Sequence, residues 1–206
     1  HDLYKNPAVK AIWAAGGGNR ALPLLDDLNY NLIKDNPKPL IGFSDVTALL
    51  NAITAKTDII NIHGDVFKNL YKNKSQLEQT LHLLSGQKTS MDLSGCKILQ
   101  HGQAQGTIIG GNLSVFQYLI GTQDCPSLEG ALLFLEDCGD EISRIDRMLA
   151  HLRLHNVFNK ISSLILGEFT DIKDTGRPFG FTLEDCVQEH IQSAQLPIIM
   201  NAPFGH

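Results

Sequence analysis

The stretch KPLIGFSDVTALLNAI, residues 38–53, decides the fold class of this 206-residue chain. Leu40 and Ile41 have the character of the end of a buried strand, and residues 46–53 have the apolar spacing of an amphipathic helix. A strand that passes through a short turn directly into a helix is the repeating unit of α/β proteins. Similar alternation of strands and helices along the rest of the chain predicts α/β architecture with a largely parallel sheet.

The turn in this stretch contains Ser44, for which two interpretations exist. A serine on a sharp turn from strand to helix is exposed at the carboxyl end of the sheet, as in a nucleophile elbow. Serine and aspartate are also preferred helix N-caps, because their side chains accept hydrogen bonds from the first free N–H groups. The turn alone favours the cap.

The composition and net charge of the chain argue against several classes of binding partner. The chain is 43% hydrophobic and 19% charged with a net charge of −5, which is typical of a globular protein and does not support nucleic-acid or anionic-membrane partners. Its four cysteines form no C-x-x-C pair, and no residue set has metal-ligand spacing, so neither a metal nor a cofactor is expected. The chain starts without methionine and stops just after a predicted strand, so we expect further residues at both ends.

The chain divides into three predicted parts. Residues 1–85 form a nucleophile-bearing α/β domain, and the polar residues 86–104, which lack a clear period, form a linker. Residues 105–206 form a second domain. In it, a helix with an apolar stripe follows the strand at 131–135, and Thr182 with Asp185 begins a final helix.

A serine nucleophile requires a base and an acid that orients the base. Glu136 and Asp137 directly follow the predicted strand at 131–135, although such pairs are commonly solvated loops. Among eight histidines, His63 and His206 follow strands beside glycine, where a side chain can point into a cleft. The order Ser44, Glu136, His206 is that of α/β-hydrolases, which is a weak signal by itself.

A run of three glycines, residues 16–18, follows the first predicted strand. It lacks the spacing of a dinucleotide-binding loop and the Lys-Ser/Thr of a P-loop. Two interpretations of the glycine run remain: it forms a plain tight turn, or one of its backbone N–H groups donates to an oxyanion.

Six blocks together resemble the serine LD-carboxypeptidases. They occur in order over nearly the whole chain: GGGNRALPLLDDLNYNLI (16–33), NPKPLIGFSDVTALLNAI (36–53), IIGGNLSVFQYLIGT (108–122), GALLFLEDCGDEISRIDRMLAHLR (130–153), SLILGEFTD (163–171) and PIIMNAPFGH (197–206). The chain departs from the family pattern in a shorter glycine loop and in His-Gly-Asp, residues 63–65, in place of His-Gly-Pro.

The resemblance implies a role for each matched turn. It makes Ser44 the nucleophile rather than a cap, Glu136 the acid and His206 the base. The oxyanion donors would be the backbone N–H of Asp45 and one from the glycine loop, Gly16 or Gly17.

The resemblance also implies a fold and a substrate. The fold would be a flavodoxin-like parallel-sheet N-terminal domain with a smaller α/β C-terminal domain. The activity would be cleavage of the L,D bond to the terminal D-alanine of murein tetrapeptides in the cytoplasm, during cell-wall recycling, and a homodimer is compatible with it. Arg144 and Arg147 are candidates for binding the terminal carboxylate of the substrate. The alternative, that both are solvated surface charges on a helix, fits the sequence equally well.

Three alternatives to this activity remain at the level of sequence. A related peptidase that hydrolyses peptidyl-nucleotide antibiotics for self-immunity would share the triad, but it would need aromatic residues that stack on the base, and the one tryptophan, Trp13, lies in a predicted strand. A general serine esterase is disfavoured, because Val46 stands where G-x-S-x-G requires glycine. A non-catalytic ligand-binding protein on the same scaffold would lack an assembled triad.

Overall fold

The computed structural model describes residues 1–72, 74–87, 89–191 and 194–206, and it divides into two compact units. The N-terminal unit comprises residues 1–91 together with residues 122–126. The C-terminal unit comprises residues 92–121 and 127–206. Each unit has its own sheet, which confirms the prediction of α/β architecture.

The N-terminal unit is built on three short parallel strands in the order β1-β2-β3. The strands are β1 (Ile12–Trp13), β2 (Leu40–Gly42) and β3 (Ile62–His63). Its helices are α1 (Asp2–Lys5), α2 (Tyr30–Asp35), α3 (Thr47–Thr57) and α4 (Lys74–Leu84), with short 3-10 helices at Leu22–Asp27, Ser44–Val46 and Phe67–Asn69.

The core of this unit explains why β2 and α3 form where they do. Leu40 of β2 packs in one apolar cluster with Ile33 of α2 and with Leu50 and Ile53 of α3. Asp58, in the left-handed conformation with φ of 61°, ends α3. The strand, turn and helix predicted from residues 38–53 are therefore confirmed.

The C-terminal unit contains a mixed five-stranded sheet in the order β4-β8-β7-β6-β5. Only the pairing of β4 with β8 is antiparallel. The strands are β4 (Lys97–Gln100), β5 (Ile108–Asn112), β6 (Leu132–Cys138), β7 (Ser163–Thr170) and β8 (Ile198–Met200). The helices are α5 (Leu113–Phe116), α6 (Ile142–Leu154) and α7 (Leu183–Ile191), with short 3-10 helices at Gln117–Leu119 and Val157–Asn159.

The predicted helical stripe and cap are both present in this unit. Ile145, Leu149 and Leu152 of α6 are completely buried. The Asp185 carboxylate accepts a hydrogen bond of 2.8 Å from the backbone N–H of Thr182, which begins α7 as predicted.

Three features differ from the sequence predictions. Strand β6 extends past residue 135 and includes Glu136 and Asp137, with a register shift relative to β7 between Leu135 and Asp137. Strand β4 lies inside the range 86–104 that was predicted as a linker, because as an edge strand it exposes Lys97 and Ile98 and shows no buried period. The C-terminal unit, which was predicted to be the smaller domain, contains more residues of this chain than the N-terminal unit. Its sheet has five strands, and the N-terminal sheet has three.

Across the described parts of the chain, no helix has both the length and the apolar character needed to cross a bilayer.

Candidate active site

Ser44 lies at a strained turn in the N-terminal unit. It follows β2 and begins the 3-10 helix that leads into α3, and its φ is +60°. A serine in the left-handed region is uncommon and costs free energy, so the surrounding packing must hold it there. The N-cap positions of the two helices are Phe43 and Val46, so Ser44 does not occupy a cap position in either of them. The turn therefore has the geometry of a nucleophile elbow.

Gly42 makes this sharp turn sterically possible. A Cβ at Gly42 would lie 2.9 Å from Val46 Cγ1 and 3.0 Å from Ala14 Cβ. The first distance is shorter than real Cβ contacts and the second is tighter than nine in ten of them, so a side chain at position 42 would force Val46 or Ala14 to shift.

The glycine loop lies against the elbow in the same unit. A Cβ at Gly17 would lie 3.1 Å from Ser44 Cβ and 3.2 Å from Ser44 Oγ. The Asp45 carboxylate accepts 2.8 Å hydrogen bonds from the backbone N–H groups of Arg20 and Ala21, which ties the end of the loop to the elbow. The side chain of Asp45 thus has a positioning role that the sequence analysis, which considered only its backbone N–H, did not identify.

Glu136 and His206 form a hydrogen-bonded pair in the C-terminal unit. Glu136 is completely buried on β6, and its Oε2 lies 2.7 Å from Nδ1 of His206. The hydrogen bond to Glu136 raises the pKa of His206 above its ordinary value, although burial acts in the opposite direction. Among the described residues, the other carboxylate oxygen of Glu136 has no hydrogen-bond partner, so its negative charge is directed mainly at the imidazole.

The turn that carries His206 is anchored to β7. The backbone N–H of Glu168 donates a 2.8 Å hydrogen bond to the carbonyl of Phe204, whose ring packs edge-to-face on Phe134. Gly205 has φ of +140°, and a Cβ there would lie 3.0 Å from Glu168 Cβ. Glycine is therefore required immediately before the histidine.

Asp137 has a different role from its neighbour Glu136. Its two oxygens accept hydrogen bonds from the backbone N–H groups of Ser114, at 2.7 Å, and of Cys138, at 2.8 Å. Burial raises the pKa of Asp137 to about 6, even though these bonds act to lower it. Asp137 thus connects β6 to the start of α5, and its charge contributes to raising the pKa of His206 only through space.

The remaining candidates lie elsewhere within their units. His63 ends β3, pairs in register with Gly42 and packs its ring edge-to-face on Phe43 with a centroid distance of 6.3 Å. Arg144 forms an ion pair of 3.0 Å with Asp140, one turn earlier on the chain, and Arg147 is exposed on α6.

Both parts of the chain match sequence models of one enzyme family. Residues 1–64 match the LD-carboxypeptidase N-terminal domain, and residues 105–206 match the LD-carboxypeptidase C-terminal domain. The chain belongs to the LD-carboxypeptidase family. A protein of Treponema pallidum is 32% identical over the whole chain, which covers 68% of that protein. The Murein tetrapeptide carboxypeptidase of Pseudomonas aeruginosa is 29% identical, over 100% of this chain and 70% of its own length.

Solved structures show the same fold. The microcin C7 self-immunity protein MccF of Escherichia coli, in complex with glutamyl sulfamoyl guanosine, superposes with a TM-score of 0.87 at 26% identity. That match covers 100% of this chain and 70% of the MccF chain. The chain spans about two thirds of the length of the curated relatives that it matches. Membership of a peptidase family is thereby established, and the two-domain α/β fold and the family that the six sequence blocks implied are confirmed.

Proposed function

We propose that this protein is a serine-type LD-carboxypeptidase that removes the terminal D-alanine from murein tetrapeptides. The observation that carries the proposal is the hydrogen bond between the buried Glu136 carboxylate and His206 Nδ1. With Nδ1 donating to the carboxylate, Nε2 is the ring nitrogen with a lone pair that can accept a proton. A histidine oriented in this way is the general base of serine hydrolases.

The proposed first step forms an acyl-enzyme on Ser44. His206 Nε2 takes the hydroxyl proton as Oγ attacks the scissile carbonyl carbon. The same proton then goes to the leaving amine as the C–N bond breaks, and the departing product is D-alanine. In the second step, His206 Nε2 takes a proton from a water molecule whose oxygen attacks the ester carbonyl carbon. As the bond between that carbon and Ser44 Oγ breaks, Oγ takes this proton from His206, and the tripeptide is released as a free acid.

Backbone donors are proposed to stabilise the oxyanion of both steps. The N–H of Asp45 stands at the start of the helical segment that continues into α3, where the helix dipole favours negative charge. Gly17 is the better candidate in the glycine loop, because a Cβ there would lie within 3.2 Å of Ser44, whereas one at Gly16 would meet Lys68 instead.

The choice of murein peptide over peptidyl nucleotide rests on two supports. One is the relative named Murein tetrapeptide carboxypeptidase. The other concerns Trp13, the one tryptophan in the sequence, whose indole N–H donates a 2.7 Å hydrogen bond to the carbonyl of Asp65. This bond ties the half-buried indole to the segment that follows β3, which limits its freedom to stack on a base. The match to MccF keeps peptidyl nucleotides as the second candidate.

Digestion of a defined tetrapeptide tests this choice. Chromatography should show release of D-alanine and accumulation of a tripeptide that resists further digestion. Cleavage of a peptidyl-adenylate analogue without release of D-alanine from the tetrapeptide would select the second candidate.

Labelling with a fluorophosphonate probe tests serine catalysis separately. We expect covalent labelling of the protein and none of a Ser44→Ala variant. A protein that binds the tetrapeptide but is not labelled would be a non-catalytic binding protein. We further propose that the reaction takes place in the cytoplasm during murein recycling, without a cofactor, and a homodimer stays a prediction.

A further inference from the structure

Lys68 is held next to the glycine loop by backbone hydrogen bonds. It lies on the short 3-10 helix that follows β3. The N–H of Phe67 donates to the carbonyl of Ala14 at 2.9 Å, and the N–H of Lys68 donates to that of Ala15 at 3.3 Å. These two bonds fix the helix against the residues that lead into the glycines.

The side chain of Lys68 extends along Gly16. A Cβ at Gly16 would lie 3.5 Å from Lys68 Nζ, 3.6 Å from Cε and 3.7 Å from Cδ. The next residue, Gly17, approaches Ser44 Oγ in the same way, at 3.2 Å. Because consecutive Cα atoms are about 3.8 Å apart, the ammonium group and the serine hydroxyl flank neighbouring positions of one loop.

The positive charge of Lys68 is not paired with a carboxylate of the described residues. Within the parts of the chain that the structure describes, no carboxylate lies in ion-pair distance of its Nζ, and the residue is exposed. Lys56 of the same unit differs, because its ammonium lies 2.6 Å from Asp124. An exposed ammonium that lies against the glycine loop, with no carboxylate partner among the described residues, is available to an anionic ligand.

We propose that Lys68 binds the terminal carboxylate of the peptide substrate, an inference that rests on the proposed function. In a substrate of this class, only the amide nitrogen and one α-carbon separate the terminal carboxylate from the scissile carbonyl carbon. The carboxylate therefore lies within about 4 Å of the carbon that the serine attacks. A cation near the nucleophile would bind this carboxylate with a charge-assisted hydrogen bond. Within the N-terminal unit, the Lys68 ammonium lies against Gly16, the residue before the one that contacts Ser44. Arg144, by contrast, is already paired with Asp140.

The test compares a tetrapeptide with a free C-terminal carboxylate and the same tetrapeptide amidated at that end. For the free acid, kcat/KM of Lys68→Met should fall by about 10- to 100-fold, the range expected for loss of one charge-assisted hydrogen bond. For the amidated tetrapeptide, kcat/KM of Lys68→Met should be nearly the same as that of the unmodified protein. The variant should therefore lose the preference for the free acid over the amide. Lys68→Arg should recover part of the preference.

Two further variants serve as comparisons. Lys34→Met removes another exposed lysine of the same unit, on α2. It should leave kcat/KM unchanged for both the free acid and the amide. Arg20→Met removes the cation within the glycine loop itself. If Arg20→Met abolished the preference and Lys68→Met did not, Lys68 would not be the carboxylate partner.

Binding measurements separate this inference from the proposed function. Calorimetry on Ser44→Ala, with and without Lys68→Met, compares the dissociation constants of the free acid and the amide without turnover. Tighter binding of the free acid that depends on Lys68 supports the inference even if no D-alanine is released. Equal binding of acid and amide, or a preference that survives Lys68→Met, overturns it.

Discussion

The contact between Gly17 and Ser44 allows a sharp prediction for Gly17→Ala. The new Cβ would lie 3.1 Å from Ser44 Cβ and 3.2 Å from Oγ, whereas ordinary contacts begin at 3.4 Å. Ser44 would therefore have to move by a few tenths of an ångström. Since a misplacement of about 1 Å costs about 100-fold in rate, we expect kcat to fall roughly 5- to 15-fold. The strained φ of Ser44 leaves little room for relaxation of the turn.

The matched variant is Gly16→Ala, one residue earlier in the same loop. Its Cβ would meet only the end of the flexible Lys68 side chain, at ordinary contact distances of 3.5 to 3.7 Å. Neither glycine has φ in the left-handed region, so alanine is compatible with both backbones. We expect kcat of Gly16→Ala to stay within about 2-fold of the unmodified protein.

The assay is steady-state release of D-alanine from the tetrapeptide, with thermal unfolding followed in parallel. The unfolding midpoints of both variants should lie close together, so that a difference in kcat reports the position of Ser44. Equal losses of kcat at the two positions, or full activity of Gly17→Ala, would refute the crowding argument.

Three other changes have expected outcomes. Glu136→Gln should lower kcat by about 10³- to 10⁴-fold, as loss of the orienting carboxylate does in the Ser-His-Asp triad. The hydrogen bond to Glu136 raises the pKa of His206, whose neutral form is the base. The acid limb of kcat/KM should therefore move to lower pH in Glu136→Gln, and an unchanged limb would contradict the assignment. Asp45→Ala should reduce the free energy of unfolding by about 1–3 kcal/mol, because two backbone N–H groups lose their acceptor, and Asp45→Asn should recover part of it in urea titrations. Leu149→Ala, at a completely buried position of α6, should cost about 2–5 kcal/mol, whereas Leu154→Ala, at a position 74% exposed on the same helix, should change urea stability by less than about 0.5 kcal/mol.

Local patterns made much of the fold predictable. Residues 38–53 contain the apolar spacing of a buried strand and a helix, and the structure has both. Thr182 and Asp185 signalled the start of α7 through side chains only three residues apart. The prediction ended β6 too early, at residue 135. Glu136 and Asp137 are acidic, and acidic residues are rarely buried in a strand, but in this structure both are buried and belong to β6.

The sequence by itself determined the α/β class and, through six blocks in order, the family. It also marked the segments that contain Ser44, Glu136 and His206, because each segment is a short local pattern. Only the tertiary structure decided the hydrogen-bond partners of the two acids. It brings Glu136, which the resemblance implied as the acid, to His206, 70 positions away, and it gives Asp137 the backbone N–H groups of Ser114 and Cys138. The same holds for Lys68, which no local pattern marks and which reaches Gly16 only through the pairing of backbone segments. Secondary-structure propensity and hydrophobic periodicity are properties of a few neighbouring residues. The contacts of Glu136 and Lys68 depend instead on how segments distant in the sequence pack against each other.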